Sequence, residues 1–241
     1  MAAGSIRSAR AALVGIITST LLACSGGDGG NQPDPVFQIT VAPVDGGDNQ
    51  TWTTGHRLPD PIRVLVTRDG EPAGAVGVVW TTAPGQGIVS PPTSITGSDG
   101  IATTRWNLGT QAKQYFAVAK LADAPAGDSV VFTATAVPNF PDSIHLYSGD
   151  NQSAPVNTSL AEPLVVMVGD EFNNPFSGAS IEWLVVSGQA TLSQQITTSG
   201  DGGLAQVNVQ LGATPGPIQI KAQFAGATSG PNIIFNITAT P

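Results

Sequence analysis

Beyond residue 35 the chain alternates apolar and polar residues with a period of two. Ala205, Val207, Val209 and Leu211 alternate with Gln206, Asn208 and Gln210. Ile218, Ile220, Ala222 and Phe224 alternate with Gln219, Lys221 and Gln223. Earlier segments repeat the pattern, with Ile62, Val64 and Val66, then Ala102, Thr104, Trp106 and Leu108, then Tyr115, Ala117, Ala119 and Leu121. A period of two with polar partners predicts antiparallel strands that are wet on one face. After residue 23 no long segment has the 3.6 period of an amphipathic helix. Clusters of Gly, Pro, Asp and Asn interrupt the strands every 8–12 residues, as in Asp170–Pro175, Gly200–Gly203 and Thr214–Pro217. That spacing predicts a β-sandwich of about seven strands per hundred residues.

The pattern is written twice. Gly47-Asp48-Asn49-Gln50 recurs as Gly149-Asp150-Asn151-Gln152, and Trp80 recurs as Trp183. Gly85-Gln86 recurs as Gly188-Gln189, and Leu108-Gly109 as Leu211-Gly212. The shift is 103 residues after position 70 and 102 before it, so a loop has gained or lost one residue. The expected units are residues 36–138 and 140–241. The joint is Pro138-Asn139-Phe140-Pro141, which two prolines stiffen into a spacer.

The Gly-Asp-Asn-Gln loop, Asp170 to Gly178, the Trp183 strand, Thr198 to Ala205 and Leu211-Gly212 carry a resemblance. It is to the bacterial Ig-like domains of the invasin/intimin type, often called group 1. The resemblance covers nearly all of residues 36–241 and implies tandem Ig-like sandwiches. It also implies extracellular rods that project adhesins or bind partners at the cell surface.

Residues 1–23 have the three parts of a secretory signal. Arg7 and Arg10 form a basic start, and Ala11 to Leu22 a short apolar stretch. Leu21-Leu22-Ala23-Cys24 resembles the lipobox of bacterial lipoproteins. Cys24 is the only cysteine, so no intrachain disulfide is available. The expectation is an exported protein, acylated at Cys24 and held in the cell envelope, at the outer membrane or cell surface. A Gly-rich tether over residues 24–35 would reach roughly 20 Å.

Composition narrows the function. Removing the leader leaves 7 basic against 17 acidic residues, a net charge of -10. An acidic surface repels phosphate backbones, which argues against nucleic acid. His56 and His145 lie in different units, and no nucleophile motif accompanies them. They are expected to be surface residues, and no catalytic residue and no small-molecule substrate are expected. No cofactor is expected either. Carboxylates gather in turns, among them Asp45, Asp48, Asp69, Glu71, Asp142, Asp150, Asp170 and Glu171. Loops of this kind can supply the six to eight oxygens of a calcium site, above all at the joint between the units, but Asp in such places caps its own backbone, and no metal site is expected. The glycines of residues 97–100 and 200–203 precede strands rather than helices, so they are expected to be hairpin turns and not phosphate loops.

Trp80, Trp183 and Trp106 fall on inward positions. Trp52 differs, for its partner in the repeat is Ala154 and its surroundings are polar. It is expected in a loop, either stacking on a sugar or protein partner or lying over the sandwich end. The leading expectation is a non-enzymatic interaction, adhesion or spacer module that meets an extracellular protein or glycan. The alternative is a carbohydrate- or polymer-binding accessory protein that uses Trp52.

Overall fold

The computed structural model describes residues 34–123 and 128–241. Cys24, the leader and most of the tether lie outside the described residues. The described chain is all-β, and Pro35–Pro241 forms one compact unit.

The first half contains β1 (Phe37–Val41), β2 (Gln50–Thr53), β3 (Ile62–Arg68), β4 (Glu71–Pro72) and β5 (Gly77–Thr82). They are followed by β6 (Ile88–Ser90), β7 (Thr93–Ile95), β8 (Ile101–Asn107), β9 (Gln114–Leu121) and β10 (Ser129–Val137). One sheet has the order β1-β3-β8-β6 with β4 on β3, and the facing sheet has the order β2-β10-β9-β5-β7. The second half contains β11 (Ser143–Ser148), β12 (Ser153–Pro155), β13 (Leu164–Gly169), β14 (Ser180–Ser187) and β15 (Ala190–Leu192). After them come β16 (Ile196–Thr198), β17 (Leu204–Val207), β18 (Val209–Leu211), β19 (Gly216–Phe224) and β20 (Asn232–Thr240). Its five-stranded sheet, β12-β20-β19-β14-β16, repeats the order of the first. The opposite face is split into β11-β13-β17 and β15-β18.

Each half encloses its own core. Trp80 and Phe132 meet with ring centroids 5.9 Å apart and planes tilted by 45°. Trp183 and Phe235 repeat the pair at 5.8 Å and 41°. Such tilted pairs add about 0.5–1.5 kcal/mol beyond their burial. Each indole N–H finds a hydroxyl one strand away, from Trp80 Nε1 to Ser94 Oγ and from Trp183 Nε1 to Thr197 Oγ1, both at 2.8 Å. Trp106 is fully buried and donates to the Gln86 carbonyl at 3.0 Å. A core indole with a satisfied N–H costs nothing in desolvated polarity.

Several sequence expectations are corrected. Each half has ten strands rather than about seven, because very short edge strands escape a periodicity count. β2 and β12 pair in parallel with β10 and β20, where antiparallel pairing alone was expected. The turns at residues 97–100 and 200–203 are not hairpins. They carry the chain from β7 to β8 and from β16 to β17, which belong to opposite sheets. The segment from Ala205 to Leu211 is two strands broken at Asn208, whose N–H and C=O turn to Ser193.

Candidate functional site

The repeated Gly-Asp-Asn-Gln motif is a structural clamp. Asp48 Oδ1 accepts the Thr133 N–H, and Asp150 Oδ1 accepts the Asn236 N–H, both at 2.7 Å. Gln50 donates to the carbonyls of Gly47 and Asp60 and accepts the Asp60 N–H at 3.0 Å. Gln152 makes the same three bonds with Gly149 and Glu162. Gly47 and Gly149 have φ of 73° and 92°, and a Cβ on either would collide with the carbonyl of Pro61 or Pro163. Asp48 and Asp150 therefore latch a loop to the edge of β10 or β20.

A second cluster of polar residues lies where the halves meet, and it joins residues the sequence pattern did not single out together. Asp170 is fully buried, as is Thr54, and Asn174 is nearly so. Asp170 Oδ1 accepts the backbone N–H groups of Phe172 and Asn174, each at 2.9 Å. Asp170 Oδ2 accepts the Thr54 hydroxyl at 2.9 Å and the Asn139 N–H at 3.2 Å. Asn174 Nδ2 lies 3.0 Å from both carboxylate oxygens. Asn174 also reaches back to the first half, donating to the Thr110 carbonyl at 2.7 Å and accepting the Ala112 N–H at 2.8 Å. Glu171 accepts the Asn139 side chain at 3.4 Å.

Every donor to Asp170 is neutral. Burial alone would raise its carboxyl; the hydrogen bonds from Asn174, Thr54 and Asn139 outweigh that and hold it below its ordinary value. Phe172 fills the remaining space against Gly55, where a Cβ would meet its ring at 2.7 Å.

Both histidines flank this joint, and both are exposed. His56 Nδ1 faces the Thr54 carbonyl at 2.7 Å, and His145 Nε2 faces Asn173 Oδ1 at 2.8 Å. Among the described residues, neither ring hydrogen-bonds to the other or to a hydroxyl, thiol or carboxylate. Among the described residues, no group of three or more His, Cys, Asp or Glu side chains is placed to hold a metal ion. Asp170, the most promising ligand by burial, has both oxygens taken by donors.

Trp52 lies in β2 rather than in a loop, opposite Ala136 of β10. Ala154 takes the same place opposite Ala239. Because Ala136 points inward, so does Trp52, yet it sits on an edge strand and stays 42% exposed. An open depression of about 470 Å³ lies elsewhere, against Gly87, Ile88, Thr110 and Tyr115. Its one titratable side chain, Tyr115, is engaged with Gln111.

No family model and no curated protein matches the sequence. Solved structures do resemble it. The D00-D0 domain of intimin is 15% identical over 86% of this chain and 100% of that one, with a TM-score of 0.42. Yersinia pseudotuberculosis InvD is 18% identical over 82% of this chain and 58% of that one, with a TM-score of 0.48. Invasin, described as a bacterial integrin-binding protein, is 20% identical over 86% of this chain and 40% of that one, with a TM-score of 0.37. Among solved structures, then, the chain is similar to bacterial Ig-like domains of the invasin and intimin type.

Proposed function

We propose that this chain is a lipid-anchored, non-enzymatic protein of the bacterial surface, whose two Ig-like sandwiches serve as an interaction, adhesion or spacer module. In this reading residues 1–23 are a signal peptide, and residues 24–35 a tether acylated at Cys24. Residues 36–138 and 140–241 are the two domains. The observation that carries it is how the polar side chains are used. Asp48, Asp150, Gln50 and Gln152 fasten loops, and Asp170 and Asn174 fasten one sandwich to the other. These groups are committed to architecture, as a displayed scaffold requires, instead of being poised for proton transfer.

The anchoring part is tested by expressing the native chain and Cys24→Ser in a lipoprotein-processing bacterium and fractionating the cells. The native chain should pellet with membranes and incorporate labelled palmitate, and the variant should do neither. Equal partitioning of the two removes the anchor. A second reading, a carbohydrate- or polymer-binding accessory protein, is favoured by one observation, the 42% exposure of Trp52 at a sheet edge. Glycan pull-down with native protein and Trp52→Ala separates the readings. Retention that the substitution abolishes supports sugar binding, and equal, negligible retention leaves the scaffold reading.

A further inference from the structure

The two sandwiches are built alike except where they meet. In the first, Thr67 pairs with Pro72 and Arg68 with Glu71, leaving Asp69-Gly70 as a two-residue turn. Both turn residues have positive φ, 53° and 89°, as a tight primed hairpin requires. Arg68, Asp69, Gly70 and Glu71 are all exposed. In the second, Gly169 bridges Pro175, and Asp170 and Asn174 enclose three residues, Glu171, Phe172 and Asn173. The repeat shift changes from 102 to 103 at this loop, so it is the site of the extra residue. The charged pair Arg68 and Glu71 gives way to Asp170 and Asn174, which are buried against the first sandwich.

The opposite pole shows the same asymmetry. Thr54, Thr110 and Ala112 of the first sandwich supply a hydroxyl, a carbonyl and an N–H to the joint. Matching backbone bonds place Val156 where Thr54 stands, Thr54 N to Val137 O against Val156 N to Thr240 O. The 103-residue shift places Pro215 where Ala112 stands. Valine has no hydroxyl and proline has no N–H. The interlocking surfaces thus occur once each, facing one another.

We propose that the loop Asp170–Asn174 is a dedicated interlock, in which one buried carboxylate gathers donors from both sandwiches, holds them at a single relative orientation, and releases them in acid. This goes beyond the anchoring and display reading and does not depend on it. The groups facing Asp170 are donors, so a proton placed on it would lack an acceptor and would break the set. Other titratable groups around the joint are Glu171 and Asp142 on the second sandwich side, His145 on β11, His56 after β2, and Lys113 beside Ala112. The ring nitrogens of the histidines lie against the Thr54 carbonyl and Asn173 Oδ1, not against Asp170. Lys113 is directed over the Tyr115 ring. Glu171 and Asp170 both accept from Asn139, and of the two only Asp170 also accepts from the first sandwich's Thr54.

The test uses the chain from residue 24 onward with Cys24→Ser, spin-labelled through Lys120→Cys and Gln219→Cys, one exposed position on each sandwich. At neutral pH the inter-label distance distribution should be narrow. Asp170→Ala should broaden it at least twofold. Should that variant fail to fold, Thr54→Val, which removes only the first sandwich's hydroxyl, decides the matter by the same broadening. As pH is lowered below the ordinary aspartate range, the native distribution should broaden reversibly while the near-ultraviolet signal of the buried tryptophans persists. A distribution equally wide in the native and variant chains overturns the interlock. A width constant down to the pH at which the tryptophan signal is lost overturns the acid release.

Discussion

The Thr54 hydroxyl donates to Asp170 Oδ2 at 2.9 Å across 116 positions of sequence, and both side chains are shut away from solvent. A buried carboxylate is tolerable only when its lone pairs are satisfied. Here that is done by neutral donors from the linker, from its own loop and from the other sandwich. The cost of leaving those donors without an acceptor ties the two halves together.

Thr54→Val keeps the shape and removes one donor, so it should lower unfolding free energy by about 1 kcal/mol. Asp170→Ala leaves the Thr54 hydroxyl and the backbone N–H groups of Asn139, Phe172 and Asn174 without their acceptor and should cost more, about 3 kcal/mol or above. Denaturant unfolding of the chain checks both. A larger loss for Thr54→Val than for Asp170→Ala would contradict this ranking.

The pH dependence has a definite sign. The folded-state pKa of Asp170 is lowered from 3.8, so its stabilisation is fully present above that value. It is lost as pH falls through the lower folded value. Native protein should therefore lose stability below about pH 4 more steeply than Asp170→Asn, which has no proton to take up there. Parallel urea titrations at pH 6 and pH 3 measure the difference. Equal losses in the two proteins would remove Asp170 from the acid response.

Gln50→Ala and Gln152→Ala should have similar effects, since each side chain makes the same three bonds in its own sandwich. A loss of about 1–3 kcal/mol each is expected, read from thermal or denaturant unfolding. Wide disagreement would mean that the repeated motif is not the same clamp twice.

The tryptophans divide sharply. Trp183→Ala removes a ring from the centre of a core and should cost about 3–5 kcal/mol. Trp52→Ala removes a half-exposed ring at a sheet edge and should cost well under that. Calorimetric unfolding of the two variants makes the comparison. A Trp52→Ala loss as large as that of Trp183→Ala would show that the edge ring belongs to the core.

Much of the fold was legible because the side-chain period of a strand is two and the chain repeats itself. Ala205, Val207 and Leu211 declare their inward face, and Trp80 and Trp183 declare their equivalence. The parallel pairing of β2 and β12 was hidden. Three or four residues cannot show a period, and the partner strand lies some 85 positions away. Trp52 was placed in a loop for the same reason. The turns of residues 97–100 carry ordinary turn residues, which do not report whether the next strand returns to the same sheet.

The joint was the least legible part. Asp170 and Asn174 stand in a stretch of Asp, Asn and Pro that looks like any solvated turn. The one available signal was the change of shift between the repeats, which marks an insertion in this loop. The residues around Asp170 do not report its burial, because two of the groups that cover it, Thr54 and Asn139, stand 116 and 31 positions away.

The most direct test of the account is the intact mass of the protein extracted with detergent from its own membranes. The recovered chain should begin at Cys24 and carry acyl groups, and Cys24→Ser should be recovered unacylated and free of the membrane. A processed chain that bears no acyl mass, or one that begins at another residue, would contradict it.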